Sequence, residues 1–233
     1  MNEIIPNFYG LPGMLVGRVY VIKDADGLTL IDTAVPPAGK RIIKAIQAAG
    51  YQASDIKRVM LTHAHPDHFG GLRAVVEATG AEVWASAAEA DVLEGRIAVP
   101  RANRGELRGI NRLLVPPDTR FKPPVKVSRI LNDGEVLPVL DGLTVVATPG
   151  HAPGHVSFWH PAKKLLITGD VVFHLFGRLT LPLAFFTVDM ALDKQQIRKL
   201  ANLGAEVVCF GHGNPIMTDA TAQLKAFADR VGA

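Results

Sequence analysis

The chain has 233 residues, 48% of them hydrophobic, and a formal net charge of +3 from 25 basic and 22 acidic residues. This is enough apolar content for one α/β domain with a sizeable core, and too little charge, without a patterned patch, to point to nucleic acid. Residues 1–15 hold no basic residue and no sustained apolar run, no segment nears the roughly 18 apolar residues of a membrane helix, and the lone Cys209 excludes an internal disulfide; the expected setting is cytoplasmic, with no membrane partner.

In chain order, Val16 to Ile22 and Leu28 to Asp32 read as strands about the turn Asp24-Ala25-Asp26-Gly27, a hairpin signal. Ile42, Ile43 and Ile46 then recur at helical spacing. Ile56 to Leu61 reads as a strand leading into the block Thr62-His63-Ala64-His65-Pro66-Asp67-His68, followed by a helix from about Asp67 to Thr79 and a short strand from Glu82 to Ala85. From about residue 94 to 126 the chain is interrupted by Pro100, Pro116-Pro117 and Pro123-Pro124 and reads as a cap insertion. Between Arg96 and Arg129 nine lysines and arginines face only Glu106 and Asp118. On a helix Arg101, Arg104, Arg108 and Arg112 would form one basic stripe, either a contact for an anionic substrate or a solvated face.

Beyond this segment, Leu143 to Thr148, Val156 to His160 and Leu165 to Thr168 read as strands. Helices are expected near Met190 to Leu203 and Thr218 to Val231, with Asp189 and Thr218 as N-caps. Phe173 to Phe186 holds four of the ten phenylalanines, which suits an apolar pocket, a core or a dimer face.

The chemistry sits where these strands stop. His63 and His65 flank one residue, so at a strand end their imidazoles can converge on one cation, while Asp67 and His68 reach a second. Three further apolar runs end in Gly150-His151, Gly169-Asp170 and Gly211-His212. A rigid sheet fixes groups at its strand ends, so all seven residues are expected on one rim. Zinc accepts imidazole nitrogen and carboxylate oxygen with room left for water, and manganese or iron would accept the same donors. Of the other histidines, His155 is expected to support a ligand from behind, His160 to lie in a surface turn, and His174 to be local.

The His-x-His-x-Asp-His block with the later Gly-His, Gly-Asp and Gly-His pairs, in this order, resembles the metallo-β-lactamase superfamily over roughly residues 14 to 215. The lactonase and glyoxalase II branches are similar in ligand pattern. The resemblance implies an αββα sandwich: two mixed sheets face to face, helices on both outer sides, here within a single domain of residues 1–233 carrying the cap at about 94–126. It implies two divalent metal ions, His63, His65 and His151 binding the first, Asp67, His68 and His212 the second, and Asp170 bridging. Asp32 corresponds to an aspartate that steadies the metal loop, though simple turn capping with Thr33 is the plainer reading.

Two such cations share a water, lower its pKa and present hydroxide to an electrophilic carbon or phosphorus. The expected function is therefore a dinuclear hydrolase of an ester, thioester or lactone, with Asp67 as the catalytic proton carrier. A small, partly apolar and anionic molecule is the expected partner, and a homodimer is compatible. The alternatives are a mononuclear-iron oxidoreductase of the persulfide dioxygenase type, or a metal-dependent phosphodiesterase or nuclease. Only 21 residues follow His212, which disfavours glutathione thioesters, and the tyrosine that lactonases use beyond the bridging aspartate is absent, Tyr51 being the last.

Overall fold

Period-two alternation of apolar side chains organises the computed structural model, which describes residues 1–14 and 16–233. The first sheet takes its strands in chain order: β1 (Asn2–Ile5), β2 (Phe8–Gly10), β3 (Tyr20–Asp24), β4 (Gly27–Ile31), β5 (Ile56–Met60), β6 (Glu82–Ala85) and β7 (Arg129–Ile130). Neighbours from β1 to β4 pair antiparallel, with two-residue turns joining β1 to β2 and β3 to β4, whereas longer crossovers make β4 to β7 parallel. Those crossovers carry α1 (Ala38–Ala48), α2 (Pro66–Phe69), α3 (Leu72–Thr79), α4 (Ala87–Leu93) and α5 (Asn111–Leu114).

The second sheet holds β8 (Val136–Leu137), β9 (Leu143–Ala147), β10 (Val156–His160) and β11 (Leu165–Ile167) as an antiparallel meander. A separate hairpin, β12 (Phe173–Leu175) and β13 (Arg178–Thr180), then α6 (Met190–Ala201), leads to β14 (Val207–Cys209), parallel to β11, and α7 (Ala220–Val231) follows.

Neighbouring residues of one strand enter different cores, as the pleat requires. Val21, Leu30 and Val59 pack outward with Ile42, Ile46, Leu72 and Val75 of α1 and α3. Their neighbours Ile22, Ile31 and Met60 turn inward to meet Val145, Phe158 and Ile167 of the second sheet. Val146, Leu166 and Val208 face the other way, against Ile197, Leu224 and Phe227 of α6 and α7. The result is the expected αββα sandwich. Among the described residues no helix is long and apolar enough to cross a membrane.

Several expectations change. The helix expected over Asp67–Thr79 is broken at Gly70-Gly71, where a Cβ on Gly71 would sit 2.5 Å from the Thr33 carbonyl oxygen. Asp189 caps α6 by accepting the Leu192 N–H, but α7 begins after Asp219, not Thr218, and neither caps it through a side chain. The basic stripe does not form: between Arg101 and Arg112 only α5 is helical, too short to align four arginines. The first hairpin strand starts at Tyr20 rather than Val16, and the hairpins β1–β2 and β12–β13 are additions. His160 is no surface turn residue; it is buried on β10, with Nε2 donating to the Leu140 carbonyl at 2.7 Å.

Tyr20 ties the sheets together. Its hydroxyl donates to the Phe210 carbonyl at 2.7 Å and accepts the Phe210 N–H at 3.1 Å, just beyond β14. Tyr20→Phe strands both buried backbone groups and should destabilise the protein by about 1–3 kcal/mol, read as a lowered urea midpoint; an unchanged midpoint would mean the tie contributes nothing.

Candidate metal centre

The seven candidate residues come from both sheets and meet at the seam between them. His63 and His65 lie beyond β5 and Asp67 and His68 on α2; His151, Asp170 and His212 lie in the turns beyond β9, β11 and β14. Asp67 and His212 are half-buried and the other five are buried. Three overlapping groups converge, His63-His65-His151, His63-His68-Asp170 and Asp67-His68-His212, each with donor atoms within 4.8 Å of one another. Asp170 joins the two ends: Oδ2 lies 3.5 Å from His151 Nε2 and 3.3 Å from His212 Nε2, and Oδ1 is 3.2 Å from His68 Nε2. Asp67 Oδ2 lies 3.1 Å from His212 Nε2.

Hydrogen bonds on the outer side of three rings, His63, His68 and His151, decide which nitrogen faces inward. Thr62 Oγ1 donates to Asp32 Oδ2, so it accepts from His63 Nδ1, 3.1 Å away, and His63 Nε2 keeps its lone pair. Thr187 Oγ1 donates to the Leu183 carbonyl and likewise accepts from His151 Nδ1 at 3.1 Å. Asp32 Oδ2 accepts from His68 Nδ1 at 2.8 Å. The inward nitrogens then confront one another, with His65 Nδ1 2.9 Å from His151 Nε2. His63 Nε2 and His65 Nε2 are buried without any hydrogen-bond partner. Orphaned buried donors and acceptors are rare, and nitrogen and carboxylate lone pairs converging on a point fit a divalent cation.

Burial and the nearby carboxylates split the imidazoles into two classes. Burial depresses the proton affinity of His63, His65 and His151, His65 falling to about 4 even though Asp67 and Asp170 oppose the shift. Burial would do the same at His68 and His212, but carboxylates together outweigh it, Asp170 with Asp32 at His68 and Asp170 with Asp67 at His212, holding His68 well above the imidazole range and His212 at about 9. Asp67 drops to about 2 against the effect of burial, through its hydrogen bond with His212 and the charge on His68.

Further residues hold this arrangement. Asp32, left-handed at φ 60°, also accepts the Thr62 N–H at 2.8 Å, so it steadies the ligand loop as well as the His68 ring. Buried His155 accepts the Asp170 N–H at Nε2, 3.0 Å, and its Nδ1 meets Thr148 Oγ1 at 2.8 Å; it supports a ligand from behind. Gly211 admits no side chain, because a Cβ there would collide with the Asp170 carboxylate. Burial and the nearby Asp170 charge raise Asp193, on α6 beside the Gly150-His151 turn, to about 8. Thr62, Thr187 and Asp193 carry no sequence signal for these roles. His174 stands apart, its Nδ1 donating to the Asn214 carbonyl at 2.7 Å.

A cavity of about 260 Å³ opens on His65, Asp67, His151, Asp170 and His212, and its opposite wall is apolar: Val16, Phe173, Leu175, Leu183 and Phe186. The Phe173 ring packs 4.5 Å from His212 and Phe186 lies 6.1 Å from His65. Phe176, in contrast, is fully exposed at the tip of the β12–β13 hairpin.

A profile of the metallo-beta-lactamase superfamily matches residues 12–212. The probable metallo-hydrolase YflN of Bacillus subtilis is 29% identical over 225 residues, covering 89% of this chain and 85% of the relative. The hydroxyacylglutathione hydrolase GloC of Haemophilus influenzae is 30% identical, covering 77% of this chain and 79% of its own. A solved metallo-beta-lactamase family protein from Thermus thermophilus superposes with a TM-score of 0.74 at 25% identity, over 99% of this chain and 81% of that one. The subclass B3 metallo-beta-lactamase of Bradyrhizobium japonicum gives 0.70 at 26% identity, over 99% and 90%.

The charge balance sets the pH response of chelator-stripped protein. His65 and His155, near 4 and 3 when folded, stay neutral while unfolded imidazoles protonate at about 6.5, so stability falls as pH drops from about 6.5 toward 3. His212, near 9 when folded, contributes stability that is complete below about 6.5 and is lost as pH rises toward 9. Thermal melts of stripped protein across this range should peak near pH 6.5, and a profile flat from pH 4 to 9 would contradict the assignment.

Proposed function

The chain belongs to the metallo-β-lactamase superfamily, a family of metal-dependent hydrolases, and we propose that it hydrolyses an ester, thioester or lactone bond at a centre holding two divalent metal ions. The observation that carries this reading is the chain of donor groups running through Asp170, open on one side to a cavity with an apolar wall. His63, His65 and His151 would hold one ion and Asp67, His68 and His212 the other, with the two oxygens of Asp170 reaching toward both. Divalent cations there, zinc first and manganese or iron as alternatives, would supply a Lewis acid for the carbonyl oxygen and a water acidified toward neutrality.

The remaining work falls to side chains. Asp67 lines the cavity, and its carboxylate is the group we assign to carry a proton to the leaving atom. The apolar wall seats an apolar acyl or aryl group and excludes water from the carbonyl, while the outer hydrogen bonds of Thr62, Asp32 and Thr187 orient the His63, His68 and His151 rings so that Nε2 faces inward. Cys209 offers no competing nucleophile, since it is fully buried and burial raises its pKa. GloC, of which this chain spans 79%, keeps a glutathione thioester among the substrates to be tested.

We assign residues 94–126 as a cap on this cavity. Its Phe121 packs against Phe69, next to His68, with ring centroids 4.5 Å apart. An anionic substrate group would meet Arg101 rather than a helical stripe: its Nε and Nη1 are buried without partners, and its charge is felt at His65.

Elemental analysis beside a panel of esters, thioesters and lactones tests the reading. Near two zinc or manganese per chain with turnover is expected; one iron, no hydrolysis and sulfide-dependent oxygen uptake would overturn it. His65→Ala and Asp170→Ala should abolish turnover while circular dichroism stays native, and a fully active Asp170→Ala would reject the role at the junction. Lengthening an apolar acyl chain should raise kcat/KM about fourfold per methylene until the cavity is full, from ~0.8 kcal/mol per buried CH₂. Phe186→Ala should flatten that slope; an identical slope would place the acyl group elsewhere.

A further inference from the structure

Helix α4 opens with Ser86-Ala87-Ala88-Glu89, the spacing with which a helix ordinarily caps itself, serine and glutamate each bonding the other's backbone N–H. Ser86 makes no such bond here. Its hydroxyl instead donates to the Gly154 carbonyl at 2.6 Å. Glu89 Oε1 accepts the Gly154 N–H at 2.8 Å, and Oε2 accepts the Ala64 N–H at 2.7 Å.

The two amides belong to the two loops that carry His63, His65 and His151. Ala64 lies between His63 and His65; Gly154 lies three residues beyond His151 and beside His155. Glu89 is 2% exposed, and among the described residues it has no cationic partner within ion-pair distance. The approach is too close for anything but glycine at 154, where a Cβ would sit 2.9 Å from Glu89 Oε1 and collide with Ser86 Oγ. Burying a carboxylate with only amide partners is unfavourable for stability, and the helix forgoes its own cap as well. That arrangement makes physical sense if holding the two loops together serves the site they build.

We propose that Glu89, assisted by Ser86, is the positioning residue of the His63-His65-His151 metal site: it clamps the amide between two ligands to the loop bearing the third. The clamp fixes the separation at which the rings converge, seen in the 2.9 Å between His65 Nδ1 and His151 Nε2. Glu89 belongs to none of the converging donor groups, so it acts through the loops and not on the ion. The inference rests on the metal centre proposed above.

Glu89→Gln keeps the shape and one accepting oxygen but turns an amino group toward the other N–H. Zinc and cobalt affinities of the full-length protein and the variant are measured by competition with a chromophoric chelator, beside thermal melts of both in stripped form. One of two metals should weaken about 10- to 100-fold, as for other groups that orient ligands, with the second unchanged and the stripped melting temperature nearly so. In a His212→Ala background, which retains the His63-His65-His151 site, Glu89→Gln should weaken the remaining metal; in a His151→Ala background it should not.

Unchanged affinities, or equal weakening of both metals with a matching fall in stripped melting temperature, would overturn the proposal. If Glu89→Gln does not fold, Ser86→Ala decides: the same metal must weaken several-fold, and no change would reject the clamp. Wild-type protein that binds no metal would instead overturn the metal centre itself, a result distinguishable from failure of the clamp alone.

Discussion

Imidazole and carboxylate lone pairs pressed together with almost no solvent between them are the constraint on which this structure depends. The inward nitrogens of His63, His65 and His151 are unfavourable by themselves, because burial removes their water and neighbouring imidazoles offer lone pairs rather than protons. The fold can hold the rings only from behind. Thr62, Asp32 and Thr187 do so through the outer nitrogens, and His155 does it for the Asp170 backbone. The rigidity of the strand ends has its purpose here, since a loop free to relax would let the rings turn outward.

The sandwich divides the task unequally. The first sheet brings four of the candidate ligands within six residues, between His63 and His68, whereas the second sheet supplies three, one from each of three strand ends. A cation bound between them would bridge the two halves, so metal affinity and sheet packing share a common free energy. Tyr20 and Glu89 cross the same seam by hydrogen bonds, one from a strand and one from a helix start.

Much of this was legible in the sequence because the informative residues are rare and local. A histidine block behind an apolar run, then three glycine-led turns each ending in a histidine or aspartate, need no long-range knowledge to be noticed. The layered fold was expected from the order of strands and helices together with the family resemblance, and the strands that realise it are apolar on both faces, such as Val21 with Ile22 and Val145 with Val146. What stayed hidden depends on distance in the chain: Thr187 lies 36 residues from the His151 ring it orients, and the buried His160 ring is satisfied by donating a hydrogen bond to the Leu140 carbonyl. Ser86 and Glu89 read locally as a self-sufficient helix cap, and only the folded chain shows them turned elsewhere. The arginine spacing misled because Gly105, Gly109 and the flanking prolines deny that segment the helix which would align it.

The apolar side of the cavity comes largely from the excursion between Asp170 and α6, with Val16 from an earlier loop, while every candidate ligand sits elsewhere. Phe173, packed on His212, is the wall residue tied most closely to the reactive end. The side chains of Leu175 and Leu183 can therefore drift under selection with little effect on the donors that define the chemistry, whereas Phe186 sits beside the His65 ring and Thr187. Recognition and reactivity are separable heritable traits in this architecture, which lets one scaffold exchange its clientele by small changes along a single surface excursion.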